Sequence, residues 1–469
     1  MENKLSGNFS EAKNQLDQYL AVKENFDIVT RNIKIGGKEA VFYFIDGFCK
    51  DEVMQKILAF LMEKTQADMP ESTNAFLKEK MPYIEAEKSD KLSYIFRMLL
   101  SGMFVLLIEG YSEAILLDIR TYPTRSVAEP EKDKVLRGSK DGFVETIVHN
   151  TALIRRRIKD TDLRMEMLCV GKTSKTDVVV CYMDSRVDKN LLNNIKYKLE
   201  TIQVDALNMN QESLAECLVP GKWINPFPKF KYTERPDAAA AQILEGNIIL
   251  LVDNSPSAMI LPTTIFKVAE EADDYYFPPI TGTYLKLTRF LIAILTYILT
   301  PTFLLFMNHT EWVPERFAFI ILKETPNIPL IWQFLILELS IDGLKLAAVN
   351  SPSMLSTPLS VMAALVLGEF SVNSGWFSSE VMLYMAFVAI ANYTQANYEL
   401  GYALKFMRII TLIGTQIGGI WGYIGGILLT CSLISLNKTV CERSYLYPLI
   451  PYDGNSLKKV LIRKRIEKI

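Results

Sequence analysis

Among 469 residues the sequence holds only two histidines, His149 and His309. A histidine-rich metal site is therefore not expected, and neither a metal nor a cofactor is assigned. Six cysteines, Cys49, Cys169, Cys181, Cys217, Cys431 and Cys441, lie scattered with no Cys-x-x-Cys spacing. That pattern suits reduced thiols better than a disulfide framework. The N-terminus, Met-Glu-Asn-Lys-Leu, lacks a basic stretch followed by an apolar one, so no cleaved secretory signal is expected. A net charge of −2 argues against nucleic acid as a partner. No Ser–His–Asp arrangement and no paired-carboxylate pattern stands out, so nothing points to an enzyme. Val170–Thr176 (VGKTSKT) has some look of a phosphate loop. It fails because Glu166 stands where that pattern needs glycine, and a hairpin turn is the better reading. No repeat of solenoid period is visible.

Long apolar runs are absent before Phe290, and the region upstream carries most of the charge. Averaging such a polar region with an apolar one explains a mean hydropathy of +0.14. Upstream, helical and strand patterns interleave. Val29–Ile35 and Ala40–Ile45 flank Gly36-Gly37 as a hairpin. Helices are expected near Lys50–Lys64, Thr73–Met81 and Lys91–Leu100, and strands at Met103–Ile108 and Ala114–Ile119. A second series follows: helix Phe143–Lys159, strands Leu163–Val170 and Asp177–Met183, helix Asp188–Ile202, helix Pro236–Leu244, and strands Asn247–Val252 and Ala258–Pro262. The fold class is thus a soluble α/β N-terminal region of two small subdomains, 1–121 and 122–283. An α-helical multi-span membrane domain (284–437) and a basic tail (438–469) complete it.

The apolar part contains Phe290–Met307, Leu330–Val349, Met354–Glu369, Val381–Ala396 and Ile409–Leu436. A spanning helix needs ~20 apolar residues, and several of these are marginal. The basic tail belongs in the cytoplasm by charge, and the N-terminal region, with no signal and no apolar span before Phe290, is expected there too, which requires an even number of crossings. The stretches are odd in number. One is therefore expected to be re-entrant or interfacial, with Leu330–Val349 and Met354–Glu369 the candidates.

Glu338, Asp342 and Lys345 are spaced to share one helix face. Ionisable groups at the middle of a spanning helix cost ~3 kcal/mol or more each, so they mark an ion path or an internal salt bridge. Gly414, Gly418, Gly422 and Gly426 repeat at four-residue steps, the spacing of close helix packing within or between protomers. In Arg155-Arg156-Arg157 a helix ends in cations, which favours a solvated, helix-supporting role; anionic headgroups are the alternative.

The run EPEKDKVLRGSKDGFVETIVHNTALIRRRIKD (Glu129–Asp160) resembles the signature of the A subunits of spore germinant receptors, the GerA type. So do VGKTSKTDVVVCYM, YTERPDAAAAQILEGNIILLVDNSPSAMILPTTIF, GTYLKLTRF and SYLYPLIPYDGNSLKKVLIR, in the same order. YPLIPYD looks most like the stage V sporulation AF branch. In this resemblance Arg137, Gly138, Asp141, Gly142, Glu145, Asn150, Arg155, Arg156, Arg157, Arg235 and Pro236 are family-motif or interface candidates. Arg186, in MDSRVDKNLL, departs from the family pattern.

The resemblance implies an integral protein of the spore inner membrane that takes part in germination. It implies a homo-oligomer, and partners among receptor B and C subunits or a small membrane protein. The expected function is an oligomeric channel that releases monovalent cations. A membrane-anchored signalling scaffold is the alternative.

Overall fold

The structure, a computed structural model, describes residues 4–122, 138–219, 225–271, 273–322, 325–350, 370–395, 397–440 and 443–462. Arg137, Met354–Glu369 and the tail beyond Ile462 lie outside the described residues.

Gly36 and Gly37, both with positive φ, turn the chain between β1 (Ile28–Ile35) and β2 (Lys38–Ile45). Before them lies α1 (Phe9–Tyr19), whose N-terminus is capped by the Asn8 side chain accepting from Ser10 and Glu11 N–H. After them come α2 (Asp51–Met62), α3 (Thr73–Glu79), β3 (Ala86–Ser89), α4 (Leu92–Leu99), β4 (Phe104–Ile108) and β5 (Ala114–Leu117). The sheet is antiparallel, in the order β1-β2-β4-β5-β3. Its two faces are both covered. Leu16, Leu92, Ile95 and Leu99 pack on Val41, Tyr43, Val105 and Leu116. On the other face, Ile57, Leu61 and Phe76 pack on Phe42, Phe104, Leu106 and Ile115. Double coverage is why β4, Phe-Val-Leu-Leu-Ile, is apolar throughout instead of alternating.

The same series then recurs. It runs α5 (Ile147–Arg157), β6 (Leu163–Val170), β7 (Thr176–Met183), α6 (Lys189–Thr201), α7 (Gln211–Leu218), β8 (Lys231–Thr233), α8 (Pro236–Leu244), β9 (Ile248–Val252) and β10 (Ala258–Leu261). Its sheet order, β6-β7-β9-β10-β8, repeats that of the first sheet element for element. The α/β class expected from the pattern is present, as a tandem pair. The sequence reading passed over α1, β3, α7 and β8. Both sheets belong to one unit, Met1–Gly221 with Phe230–Pro262.

The other unit, Lys222–Lys229 with Thr263–Ile469, is helical among its described residues. After the short α9 (Ile265–Val268) and α10 (Asp273–Tyr276) come α11 (Pro279–Asn308), α12 (Leu330–Asn350), α13 (Ser379–Tyr393), α14 (Tyr398–Leu436) and α15 (Gly454–Leu461). Pro279 opens α11, where its missing N–H costs nothing. Among the described residues α11 and, taken end to end, α14 are long and apolar enough to cross a membrane.

Helix α14 is not one rod. At Gly419 the backbone leaves the helix, with φ 53° and ψ −130°. A Cβ built on Gly422 would lie 1.8 Å from the carbonyl oxygen of Gly414, and one on Gly426 2.5 Å from Thr411 Oγ1. In a straight helix the members of those pairs would be roughly 12 and 22 Å apart. The segment therefore folds back on itself at Gly419 as a helical hairpin. The single stretch Ile409–Leu436 is in fact the end of one arm and the whole of the other. Leu330–Val349, expected as a candidate re-entrant segment, lies within the unbroken helix Leu330–Asn350.

Candidate functional site

In the helical unit the charges that should be most costly sit together. Arg408, on the first arm of α14, is fully buried. Its Nε donates to Glu338 Oε1 at 2.8 Å and its Nη1 to the Thr296 carbonyl of α11 at 2.8 Å. Lys405, one turn earlier, donates to the Glu338 carbonyl at 3.2 Å and pairs with Asp342. Glu338 meets Arg408 and Asp342 meets Lys405, so α12 runs antiparallel to this arm. Two carboxylates face two cations, and α11, α12 and α14 are joined at one point. The Glu338 side chain is 4% exposed and that of Asp342 30%, so the accessible end of the group is Asp342. Lys345 lies outside the pairings, 5.4 Å from the Tyr393 ring centroid and 5.7 Å from that of Tyr402.

The hairpin is stitched from inside by hydroxyls. Tyr297 of α11 shares its OH with Thr411 on one arm at 3.0 Å and Thr430 on the other at 2.9 Å. Gly414 and Gly422 face each other, and Gly426 faces Thr411, because only glycine lets the arms approach this closely. Gly418 meets nothing within 4 Å. Three of the four spaced glycines thus pack within one chain.

Below these elements α11 is tied to the segment that precedes it. Buried Lys286 donates to Glu270 at 2.7 Å, and Arg289 reaches Asp274 and Glu271 at 2.7 Å each. Both cations come from the GTYLKLTRF motif.

In the α/β unit, two motifs distant in sequence meet. The loop Gly138–Phe143 is strapped down at three points. Arg157 donates to Asp141 at 2.6 Å, Arg235 donates to the Ser139 carbonyl at 3.0 Å, and Phe143 N–H donates to the Glu234 carbonyl at 2.8 Å. Asp141 is half-buried, which disfavours its charge, but Arg157 and Ser139 outweigh this and hold its carboxyl below the usual range. Gly138 turns with φ 118°, and Gly142 is buried. Asn150 is buried and closes a ring with the Val144 backbone, accepting from its N–H at 2.8 Å and donating to its carbonyl. The Glu145 carbonyl accepts from Asn254 N–H at 2.8 Å while its side chain is exposed. Pro236 opens α8, and Arg235 also reaches Asp237 at 2.6 Å.

The three consecutive arginines do not share a solvated face, contrary to the expectation for a charged helix end. Arg155 is fully buried and donates to Asp27 at 2.8 and 3.0 Å. Arg156 lies 4.7 Å from the Tyr122 ring centroid, and Arg157 holds the loop. Successive helical residues point about 100° apart, so each reaches a different neighbour. Arg186, the departure from the family pattern, donates to the Leu244 carbonyl at 2.6 Å. Among the described residues no cluster of three His, Cys, Asp or Glu side chains could hold a metal ion.

Sequence reasoning missed Lys405, Arg408, Asp27 and Lys286. Lys405 and Arg408 sit just before Ile409, where the apolar stretch begins, and so read as flanking charges. Their three-residue step, which like the four-residue step from Glu338 to Asp342 keeps both charges on one helix face, is the available signal.

The family model described as Bacillus/Clostridium GerA spore germination protein matches residues 14–469. Stage V sporulation protein AF of Bacillus subtilis (strain 168) is 35% identical, over 94% of this chain and 89% of that protein. Spore germination protein KA of the same organism is 27% identical, over 96% and 84%. Spore germination protein A1, also of Bacillus subtilis (strain 168), is 26% identical, over 86% and 83%. The crystal structure of the N-terminal domain of the A subunit of the Bacillus megaterium spore germinant receptor GerK3 is similar with a TM-score of 0.43 and 25% identity, over 55% of this chain and 95% of that one. With a family match over nearly its whole length, the chain belongs to the GerA family of spore germination proteins.

Proposed function

We propose that this chain is a membrane subunit of a spore germination complex, and that as a homo-oligomer it forms a path for monovalent cations in the spore inner membrane. The observation that carries this reading is the Glu338–Asp342–Lys405–Arg408 group. Ionisable residues inside an apolar helical layer are costly and are retained where charge has to pass or be sensed. Arg408 and Lys405 neutralise the two carboxylates at the resting point. Asp342, partly exposed, and Lys345 beside it are the groups an ion would meet. Glu338 acts as a positioning residue through Arg408.

The fold-back at Gly419 makes two membrane passages of Ile409–Leu436 and the arm before it. Both chain ends lie on the cytoplasmic side in this reading, as the basic tail requires. Partners are other germination proteins, either receptor B and C subunits or a small membrane protein. A second reading, a signalling scaffold that does not conduct, is favoured by one observation: Glu338 and Asp342 are already paired. Passive K⁺ and Na⁺ flux through the purified chain in liposomes tests the first reading against the second.

A further inference from the structure

The segment Asn225–Lys229, Asn-Pro-Phe-Pro-Lys, lies between α7 and β8 in the chain, yet it packs as part of the helical unit. Its two prolines fix their own φ near ~−65° and bias Asn225 and Phe227, the residues before them, toward extended backbone. The Asn225 side chain bends back along this short strap, its Oδ1 accepting from Phe227 N–H at 3.1 Å.

The second arm of α14 ends at Leu436, and the last carbonyls of a helix have no donor within it. Asn437 N–H turns to the Ile434 carbonyl at 3.3 Å, and the Leu433 carbonyl accepts instead from Asn225 Nδ2 at 2.9 Å. Lys229 donates to Asn437 Oδ1, which sets a cation at the helix C-terminus. Between these two bonds Phe227, 1% exposed, is buried in the apolar cluster that holds Tyr297 of α11 and Leu400, Ala403 and Met407 of the first arm. Tyr297 is the residue whose hydroxyl bridges the two arms. The strap thus fastens the open end of the hairpin, the end away from Gly419. Only Phe230 separates Lys229 from β8, a reach of at most ~7 Å, so the strap leaves its seat only by drawing on β8.

We infer that Asn225–Lys229 is a latch on the hairpin. Seated, it caps the second arm and wedges Phe227 into the cluster around Tyr297, so the open ends of the arms stay together. Withdrawn, it lets those ends part while Gly414 and Gly422 keep the turn closed. The α/β unit supplies the chain on both sides of the latch, so a movement of β8 reaches the helices as a pull on one strap. The latch concerns the hairpin and does not require that ions pass beside Asp342.

The test measures two separations in the full-length chain in liposomes by pulsed electron spin resonance. Spin labels are carried on p-acetylphenylalanine, so the native cysteines stay in place, and labelled chain is diluted with unlabelled chain of the same sequence, so that distances within one chain are read. Labels at positions 398 and 436 report the open end of the hairpin, and labels at 413 and 424 report the turn; all four positions are exposed. Phe227→Ala should shift the open-end separation to longer distance and leave the turn separation as in the wild type. An unchanged open-end separation, a change confined to the turn, or both separations lengthening together would each overturn the latch, the last by making the strap ordinary core packing. Where Phe227→Ala does not fold, Asn225→Ala, which leaves the aromatic wedge and removes the cap on Leu433, is judged by the same two distances.

Discussion

Arg155 and Asp27, 128 residues apart in sequence, form a fully buried ion pair that joins the two sheets of the α/β unit. Neighbouring groups close the same seam: Met165 N–H donates to Asn25 Oδ1 at 2.8 Å, and Phe26 N–H to the Met165 carbonyl at 3.1 Å. The tandem halves are thus held by a polar seam in addition to apolar packing. Removing one member of a buried pair strands the other charge, at a cost of about 3–5 kcal/mol. Asp27→Ala and Arg155→Ala should each lower stability by that order in denaturant titrations of the full chain. The double substitution Asp27→Ala/Arg155→Ala should cost much less than the sum. Additive losses would show that the two residues are not coupled.

The hairpin makes a sharper distinction among glycines than their spacing does. Gly422→Ala puts a methyl group 1.8 Å from the Gly414 carbonyl oxygen, whereas Gly418→Ala meets nothing within 4 Å. Overpacking of this kind costs about 1–3 kcal/mol or more. Thermal unfolding in detergent should show a large loss for Gly422→Ala and little for Gly418→Ala. Equal effects would mean that the arms do not fold together as described.

Within the charged group, burial ranks the residues. Glu338→Ala leaves Arg408 short of its carboxylate in a site closed to solvent and should cost about 3–5 kcal/mol. Asp342→Asn, at the more exposed end, should cost far less and leave assembly intact. Thermal stability with size-exclusion profiles separates the two. If Asp342→Asn also dismantles the protein, the whole group is structural and the path lies elsewhere.

The strapped loop gives a pH dependence with a definite sign. Asp141 is held below its ordinary value, about 3.9 for an unperturbed aspartate. Unfolding therefore takes up a proton once the pH approaches that value. The stability that Asp141 provides is complete above the unfolded value and is lost as pH falls through the folded one. Denaturant titrations from pH 6 to pH 3 should show the wild-type chain and Asp141→Asn converging at the acid end. Parallel curves would assign the acid sensitivity to other carboxylates.

Much of the α/β unit was legible because its strands are bounded by turn residues. The Gly36-Gly37 hairpin, the cap of α6 by Asp188, whose carboxylate accepts from Asn190 and Leu191 N–H, and the Pro236 helix start are local signals read over a few residues. The strand β8 is three residues long and has no periodicity to detect. The duplication of the α/β motif is carried mainly by connectivity and leaves only a faint echo in the residues, such as Leu106–Leu117 (LLIEGYSEAILL) against Leu250–Leu261 (LLVDNSPSAMIL). At the candidate site, Glu338 and Asp342 stood out because charge in an apolar run is anomalous. Their partners did not, because Lys405 and Arg408 lie at the rim of such a run, where cations are ordinary. Nor could an apolar run of helix formers announce that it reverses at Gly419. That depends on Gly414, Gly422, Gly426 and Tyr297 meeting in three dimensions.

The central claim is that ions pass beside Asp342 and Lys345. Its most direct test is passive K⁺ and Na⁺ efflux from liposomes holding the purified full-length chain, compared with Asp342→Asn and Lys345→Gln. Oligomeric state is followed on the same samples. The account predicts a leak in the wild-type chain that falls or changes K⁺/Na⁺ preference in the variants while the oligomer persists. A well-assembled chain that passes no ions, alone and with its co-purified partner, would contradict it and leave the scaffold reading.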